Sequence, residues 1–127
     1  FIELGKSALI ITYGRGVYWS LEAAKFYNGQ IEVLDLRTLN PLDEEQIFKS
    51  SKLHGKVLIV TEEPNSSSFS LGLAGKIQKN CFEYLDAPVE IVGSENTPAI
   101  PLNENLEYAY LPNAEKVKKV LSKLFEY

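Results

Sequence analysis

The chain has 127 residues, of which 45% are hydrophobic, which is the size and composition of one globular domain that buries a core without metals or disulfides. Its net charge is −4 with acidic and basic residues interspersed, which argues against binding to a nucleic-acid backbone or an anionic membrane surface. Cys81 is the only cysteine, so an internal disulfide and a cysteine-based metal cluster are excluded.

The sequence also bears on location and domain organisation. No apolar run approaches the ~18 residues that a membrane-spanning helix needs, and residues 1–5 lack the basic and apolar regions of a signal peptide. We therefore expect a cytoplasmic protein. The chain contains no methionine and begins at Phe1, so we expect residues 1–127 to be a single domain and a fragment of a longer polypeptide.

The first predicted elements are two strands and a helix. Residues 1–4 form a candidate edge strand, and the continuous apolar run at residues 8–13 is typical of a strand buried on both faces. A Gly-Arg-Gly turn follows, and the next segment has apolar residues at helical spacing, namely Val17, Leu21 and Ala24. This helix is predicted to end at Gly29, because glycine accepts the left-handed conformation of a helix end.

The second long strand is predicted at residues 31–36, and it must end before Pro41, which cannot continue a hydrogen-bonded ladder. A helix begins directly afterwards. Asp43 is the expected cap, and Gln46 is the expected reciprocal partner of a capping box. We predict this helix over residues 44–54, ending at Gly55, followed by an apolar strand at residues 56–62.

The second half of the chain repeats the alternation of strand and helix. Its first helix has an apolar stripe that recurs every four residues: Phe69, Leu73, Ile77 and Cys81. A strand at residues 89–92 and a surface excursion at residues 93–113 follow, and the last helix is amphipathic, with Val117, Val120, Leu121 and Leu124 on one face.

Alternating strands and helices predict an α/β fold with a mostly parallel sheet. Residues 8–13 should be the central strand, with residues 31–36 on one side and residues 57–61 on the other. Residues 89–92 should extend the sheet beyond the latter, and residues 1–4 should lie antiparallel at the opposite edge. The expected architecture is therefore a three-layer α/β/α domain with five strands.

Three positions in the sequence are candidates for sites of chemistry: the Gly-Arg-Gly turn, His54 and Cys81. In Gly14-Arg15-Gly16 the third glycine of a dinucleotide-binding turn would fall at Trp19, whose bulk prevents close packing of the helix, so a simple tight turn is favoured. His54 has no second histidine with which to bind zinc, and its position before Gly55 predicts interaction with the last carbonyls of its helix. Cys81 continues an apolar stripe and is expected in the core.

Glu62 and Glu63 close a predicted central strand. Ligands of open α/β sheets lie outside the carboxyl ends of the strands, so one of these glutamates is a candidate functional residue. Contact of Glu62 with a neighbouring domain or subunit and a purely structural hydrogen-bonding role are equally compatible with the sequence.

Four ordered motifs cover nearly the whole chain: ITYG at residues 11–14, DLRTLNPLD at 35–43, YLDAPV at 84–89 and YLPN at 110–113. Together they resemble the C-terminal domain of the beta subunit of thiamine-diphosphate-dependent 2-oxo acid dehydrogenases, of the pyruvate and branched-chain 2-oxoisovalerate types. In that family the glutamate that corresponds to Glu62 commonly follows a histidine and precedes a glycine-rich turn. Here Thr61 stands in the place of the histidine, and serines replace the glycines.

The resemblance implies a transketolase C-terminal-like fold and a place in an oxidoreductase. The parent enzyme would decarboxylate a 2-oxo acid and transfer the acyl group to lipoyl-lysine. Thiamine diphosphate and magnesium would be bound by preceding domains that this chain lacks. The isolated domain is thus expected to be inactive, with no catalytic residue, cofactor ligand or metal ligand of its own.

The resemblance also implies the partners. They are the preceding domains or alpha subunit of the same enzyme, a homodimer mate, and the basic peripheral subunit-binding domain of the lipoyl acyltransferase. Asp86, Glu90 and Tyr127 are the candidate partner-binding residues. Glu62 and Arg15 are the candidate residues for a domain or subunit interface.

Two alternatives remain open at this stage. The chain could be the equivalent domain of transketolase or deoxyxylulose phosphate synthase, which shares the fold. It could also be an independent flavodoxin-like binding module with no enzyme attached. The motifs at residues 35–43 and 84–89 favour the dehydrogenases, whereas the choice between pyruvate and branched-chain substrates is not encoded in this segment.

Overall fold

A computed structural model describes residues 7–27, 29–36, 43–64, 68–94 and 113–127, in which strands and helices alternate. The strands are β1 Ala8–Thr12, β2 Ile31–Asp35, β3 Val57–Pro64 and β4 Glu90–Ser94. The helices are α1 Gly16–Ala24, α2 Glu44–His54, α3 Ser68–Cys81 and α4 Ala114–Phe125, with short 3-10 turns at Lys25–Tyr27 and Phe82–Tyr84.

The described strands form one parallel sheet in the order β2-β1-β3-β4, which confirms the predicted strand order. Ile10 at the centre of β1 lies opposite Val33 of β2 on one side and Leu58 of β3 on the other. Every residue of β1 is buried, as its continuous apolar sequence predicted. The fifth, antiparallel strand predicted at residues 1–4 lies outside the described residues, so it stays a prediction.

Helices cover both faces of the sheet, which confirms the three-layer arrangement. On one face α1 and α4 pack on alternate strand residues, among them Ile10, Leu58 and Val60. On the other face α2 and α3 pack on the residues in between, among them Leu9 and Ile59. The α3 stripe faces this second core, and the buried Cys81 thiol donates to the Phe48 carbonyl at 3.7 Å, so the core role expected for this cysteine is confirmed.

Helix α2 begins and ends where the sequence predicted, but only half of the predicted capping box forms. Asp43 Oδ1 accepts the Gln46 N–H at 3.2 Å, and Gly55 closes the helix in the left-handed conformation with φ 76°. The prediction that the Gln46 side chain is the reciprocal partner of Asp43 is wrong. The Gln46 side chain instead donates to Ser50 Oγ at 2.9 Å, because residues four apart are neighbours on a helix.

The face that α1 presents to the sheet differs from the expected stripe. The buried residues of α1 are small: Gly16, Ser20 and Ala23. Leu21 is instead half-exposed. The reason is close packing at the helix start, since a Cβ on Gly16 would overlap Thr12 Oγ1 of the preceding strand. The fully buried positions of α1 are therefore small, Trp19 packs partly buried against the core, and Tyr18 and Leu21 face outward.

Gly55 and Gly29 allow a matched test of the packing between α2 and the segment before β4. Both glycines have positive φ, but a Cβ on Gly55 would lie 2.7 Å from Asp86 Oδ2 and 3.0 Å from the Tyr84 carbonyl, whereas one on Gly29 meets nothing within 4 Å. Gly29→Ala should lower the free energy of unfolding by roughly 1 kcal/mol through backbone strain alone. Gly55→Ala should lower it by about 2–3 kcal/mol, because the clash adds to the strain. Urea denaturation measures both, and equal losses would contradict this packing.

Candidate functional site

The residues singled out by sequence lie at opposite ends of the sheet. Arg15 follows β1, and Glu62 lies near the end of β3. We call this end of the sheet the carboxyl edge, and its residues are Tyr13, Arg15, Thr61, Glu62 and Glu63. Asp86 and Glu90 lie where strands begin, at what we call the amino edge, which comprises Ser7, Glu32, His54, Lys56, Asp86 and Glu90. The two predicted groups are therefore separated by the length of the strands.

At the carboxyl edge the two predicted interface residues lie close together. Arg15 Nη1 is 3.9 Å from Glu62 Oε2, and the guanidinium lies 5.3 Å from the centre of the Trp19 ring. Both charged side chains are exposed, so water screens their attraction and the pair adds little to stability. Both groups are accessible to a neighbouring domain or subunit.

Tyr13 organises the inner part of the carboxyl edge, and sequence reasoning missed this role although Tyr13 lies in the motif at residues 11–14. Its hydroxyl donates to Glu63 Oε1 at 2.7 Å, and its ring meets Phe69 edge to face. Burial, and then the hydrogen bond to Glu63, raise the pKa of Tyr13 above its ordinary value. The phenol therefore stays protonated and holds Glu63 inward, while Glu62 points outward.

Thr61 occupies the position that is a histidine in the resembling family. It is buried, and its Oγ1 accepts the Glu63 N–H at 2.8 Å. A threonine hydroxyl at this position shapes the end of β3 and offers no acid–base group near neutral pH.

At the amino edge Asp86 has two internal contacts. Its backbone N–H donates to the Gly55 carbonyl at 2.8 Å, and its Oδ2 lies 3.6 Å from Lys56 Nζ. The Lys56 side chain is only 2% exposed, whereas that of Asp86 is 50% exposed. Asp86 is thus a surface carboxylate that also balances a buried ammonium group.

Glu90 and Tyr127 belong to the same edge. Lys123 of α4 donates to Glu90 Oε1 at 3.1 Å, which brings the last turn of α4 to the beginning of β4. Tyr127 follows that turn, with its N–H donating to the Leu124 carbonyl at 3.2 Å and its side chain exposed. The structure therefore gathers all three predicted partner-binding residues at the amino edge, and two of the three are engaged in internal ion pairs.

An open groove of about 430 Å³ lies beside Asp86. The described residues that line it are Gln78, Phe82, Leu85, Asp86, Ala87 and Pro88. Phe82 and the nearby Tyr84 are both exposed. This combination of apolar surface and one carboxylate was missed by sequence reasoning, although Phe82 falls outside the apolar stripe of α3 and was the available signal.

His54 does not interact with the last carbonyls of its helix, so that expectation is wrong. Its fully buried ring lies with Nδ1 2.9 Å from Ser7 Oγ and Nε2 3.4 Å from Glu32 Oε1. The ring therefore faces the beginnings of β1 and β2, where Ser7 and Glu32 lie. Burial lowers the pKa of His54, and the nearby Glu32 carboxylate opposes that shift only in part.

In the described ranges no group of three or more histidine, cysteine, aspartate or glutamate side chains is arranged to hold a metal ion. No helix there has the length and apolar content required to cross a membrane.

Sequence and structure comparisons with known proteins both find relatives that match nearly the whole chain. The sequence model of the family described as transketolase, C-terminal domain, matches residues 2–117. The chain is 34% identical over 126 residues to the 2-oxoisovalerate dehydrogenase subunit beta of Bacillus subtilis (strain 168), a match that covers 97% of this chain and 38% of that protein. It is 36% identical, with the same coverage, to the pyruvate dehydrogenase E1 component subunit beta of Rickettsia conorii.

Among solved structures, the chain is similar to one titled split gene transketolase, inactive beta4 tetramer. The TM-score is 0.75 at 26% identity, and the match covers 96% of this chain and 40% of that one. The chain therefore spans about two fifths of the length of the proteins that it resembles.

The buried His54 predicts a pH dependence of stability. Its pKa in the folded chain is lower than the ordinary 6.5, so the unfolded chain binds a proton on His54 more readily. The stabilisation is complete above pH ~6.5 and is lost as the pH falls below that value. The free energy of unfolding should therefore decrease between pH ~7 and ~5.5. His54→Gln, which can keep the hydrogen bond to Ser7, should flatten this decrease, and parallel pH profiles would contradict the assignment.

Proposed function

This chain belongs to the transketolase C-terminal domain family, and from that membership we propose that it is the C-terminal domain of the decarboxylating component of a 2-oxo acid dehydrogenase. The observation that carries the proposal is similarity over 97% of the chain to beta subunits of 2-oxoisovalerate and pyruvate dehydrogenases. The ordered motifs at residues 11–14, 35–43, 84–89 and 110–113 support the same conclusion.

In this proposal the parent enzyme, located in the cytoplasm, oxidatively decarboxylates a 2-oxo acid and passes the acyl group to lipoyl-lysine. Thiamine diphosphate and magnesium belong to domains outside this chain, which contributes no ligand to them. The carboxyl edge agrees with a non-catalytic role, because the Glu63 carboxylate accepts from Tyr13 and the buried Thr61 hydroxyl is engaged in the backbone turn. Arg15 and Glu62 would contact a neighbouring domain or alpha subunit.

The amino edge would dock the basic subunit-binding domain of the acyltransferase. Asp86 presents a half-exposed carboxylate beside the apolar groove that Phe82 and Pro88 help to line. Glu90 and the chain's last residue, Tyr127, extend the docking surface. Apolar contact would supply most of the affinity, and the carboxylates would steer the approach of a basic partner.

Lys56 affects how strongly Asp86 can attract a basic partner. An incoming arginine or lysine would share Asp86 with the buried ammonium group 3.6 Å away. The internal pair also orients the carboxylate before the partner arrives, which lowers the ordering cost of binding. Asp86 thus has a structural and a docking role that experiments must separate.

A transketolase is the second candidate, favoured by the structural match with a TM-score of 0.75. The sequence matches argue for the dehydrogenases, because both beta subunits named above are at least 34% identical over 126 residues, against 26% identity for the transketolase structure. We also propose that the chain forms a homodimer through this domain.

Removal of the Asp86 charge should weaken acyltransferase docking. In the assembled enzyme, Asp86→Asn keeps the shape of the side chain and should raise the Kd for the subunit-binding domain about tenfold, since a partly solvated charge pair is worth ~1–2 kcal/mol. The loss should be larger at low salt, where screening is weaker. Decarboxylation with an artificial electron acceptor should be unchanged. Surface plasmon resonance over a range of salt concentrations measures the effect.

Two control variants separate docking from folding. Glu45→Gln makes the same charge change in the first turn of α2, at the far end of the sheet, and should leave the Kd unchanged. Lys56→Met removes the internal cation while keeping Asp86, and should retain docking, because the release of the Asp86 charge to the partner offsets the loss of its orientation. An unaltered Kd in Asp86→Asn, or an equal loss in Glu45→Gln, would refute the docking role.

The assignment of the cofactor to other domains has its own test. Isothermal titration calorimetry of the 127-residue chain with thiamine diphosphate and magnesium should give no saturable heat in the micromolar range, since the described residues include no cluster of acidic or histidine ligands for the metal. The chain alone should also fail to decarboxylate pyruvate or 2-oxoisovalerate. Micromolar binding would place the cofactor site in this domain and overturn the proposal.

A further inference from the structure

His54 lies in a buried cluster at the amino edge that the proposed docking role does not use. Its Nδ1 lies 2.9 Å from Ser7 Oγ, and its Nε2 lies 3.4 Å from Glu32 Oε1. Both Nε2 and that carboxylate oxygen are buried, and within the described part of the chain neither has a hydrogen-bond partner. Buried polar atoms are almost always hydrogen-bonded, so this pair indicates a contact that forms fully only in another state.

The two charge states of His54 treat this contact differently. A neutral imidazole that accepts the Ser7 hydroxyl proton at Nδ1 carries its own proton on Nε2, and the 3.4 Å to Glu32 exceeds the length of a good hydrogen bond. A protonated imidazole donates from both nitrogens, and its charge attracts the carboxylate to a distance of about 2.7–2.9 Å. Protonation should therefore draw His54 and Glu32 together, towards β2.

The titratable groups on the elements around His54 come from both sides of the amino edge. They are Glu32 of β2, Lys56 at the beginning of β3 with its partner Asp86, Lys52 on α2 itself, and Glu83 and Tyr84 of the 3-10 turn beside α2. Burial lowers the pKa of His54, and the Glu32 carboxylate opposes that shift. His54 therefore gains its charge in acidic solution, below pH ~6.5.

A short path of bonds and close contacts joins His54 to Asp86. The carbonyl of Gly55, the next residue, accepts the Asp86 N–H at 2.8 Å. Gly55 also packs so closely that a Cβ on it would lie 2.7 Å from Asp86 Oδ2. Lys56, one residue further, holds the same carboxylate oxygen at 3.6 Å. A displacement of His54 thus reaches both the backbone and the side chain of Asp86, because close-packed groups transmit strain.

We propose that His54 is a pH-sensitive switch for the Asp86 docking site, in which protonation draws the ring towards Glu32, displaces Gly55 and weakens the attraction of Asp86 for a basic partner. Two effects act in the same direction. Displacement of Gly55 loosens the hydrogen bond that orients Asp86, and the added positive charge at the amino edge opposes the approach of another cation. By linkage, a basic partner bound at Asp86 makes His54 harder to protonate. The proposal rests on the docking role in the proposed function and adds its regulation.

The first test follows the switch by NMR in the 127-residue chain. His54 is the only histidine, so its imidazole signals report a single titration. The backbone amide signals of Gly55 and Asp86 should shift with the same midpoint as the imidazole. Carboxyl groups ordinarily titrate near pH ~4, and their effect on the amides can be fitted as a separate step. Amide signals that show no transition at the His54 midpoint would overturn the switch.

Two variants and a control establish that the shared midpoint belongs to His54. Glu32→Gln removes the acid that opposes the effect of burial, so the midpoints of the imidazole and of both amides should fall together. His54→Gln should abolish the transition in the Gly55 and Asp86 amides. Glu45→Gln makes the same charge change in the first turn of α2, at the far end of the sheet, and should leave every midpoint in place. Amide midpoints that stay fixed in Glu32→Gln would contradict the coupling.

The second test measures docking in the assembled enzyme. Surface plasmon resonance with the subunit-binding domain should give a Kd that rises about fivefold as the pH falls through the midpoint measured for His54. His54→Gln should lose this rise, whereas any titration of the partner itself affects both enzymes equally. Equal pH dependence in the two enzymes overturns the switch while docking at Asp86 stands. A Kd that Asp86→Asn leaves unchanged at every pH refutes the docking role, and with it the site that His54 would regulate.

Discussion

Burial of β1 on both of its faces and along both of its edges is the constraint on which the rest of the structure depends. Each backbone N–H and C=O of this strand needs a partner, and the flanking strands β2 and β3 supply them in parallel register. Its apolar side chains alternate between two cores, so a helical layer is required on each face. Because the described strands are parallel, they all begin at one end of the sheet and end at the other. The candidate residues therefore lie at two separate ends of the sheet, the amino edge and the carboxyl edge.

The amino edge links stability to docking. Lys56 and His54 lie buried two positions apart, and each contacts a carboxylate that reaches the surface, Asp86 and Glu32 respectively. The buried Lys56 ammonium group needs such a partner, so removal of the Asp86 carboxylate has a cost to the fold. The same arrangement keeps a carboxylate oriented at the surface beside an apolar groove. In the proposed docking role, the Asp86 carboxylate therefore contributes both to the stability of the fold and to the recognition of a basic partner.

The two helical layers differ in how they meet the sheet. The α3 helix buries a regular apolar stripe, whereas the fully buried residues of α1 are glycine, serine and alanine, with Trp19 packed partly buried beside them. Close approach at Gly16 accounts for the difference, because the start of α1 lies directly against Thr12. Both layers nevertheless expose large apolar side chains: Tyr18, Leu21 and Phe26 on the α1 side, and Leu53, Leu71 and Phe82 on the α2 and α3 side.

Sequence alone determined the alternation of strands and helices and the central position of β1. It also determined the ends of α2 at Asp43 and Gly55 and the core role of Cys81. These features follow from periodicity, capping and turn chemistry, which are local properties of the sequence. It also identified the family through ordered motifs. The partners of His54, the pairing of Asp86 with Lys56 and the inward face of α1 were decided only by tertiary structure. Each depends on residues from separate elements that converge when the sheet forms: Ser7 and Glu32 around His54, and Thr12 against Gly16. Contacts of this kind arise from the packing of layers, which no local pattern encodes.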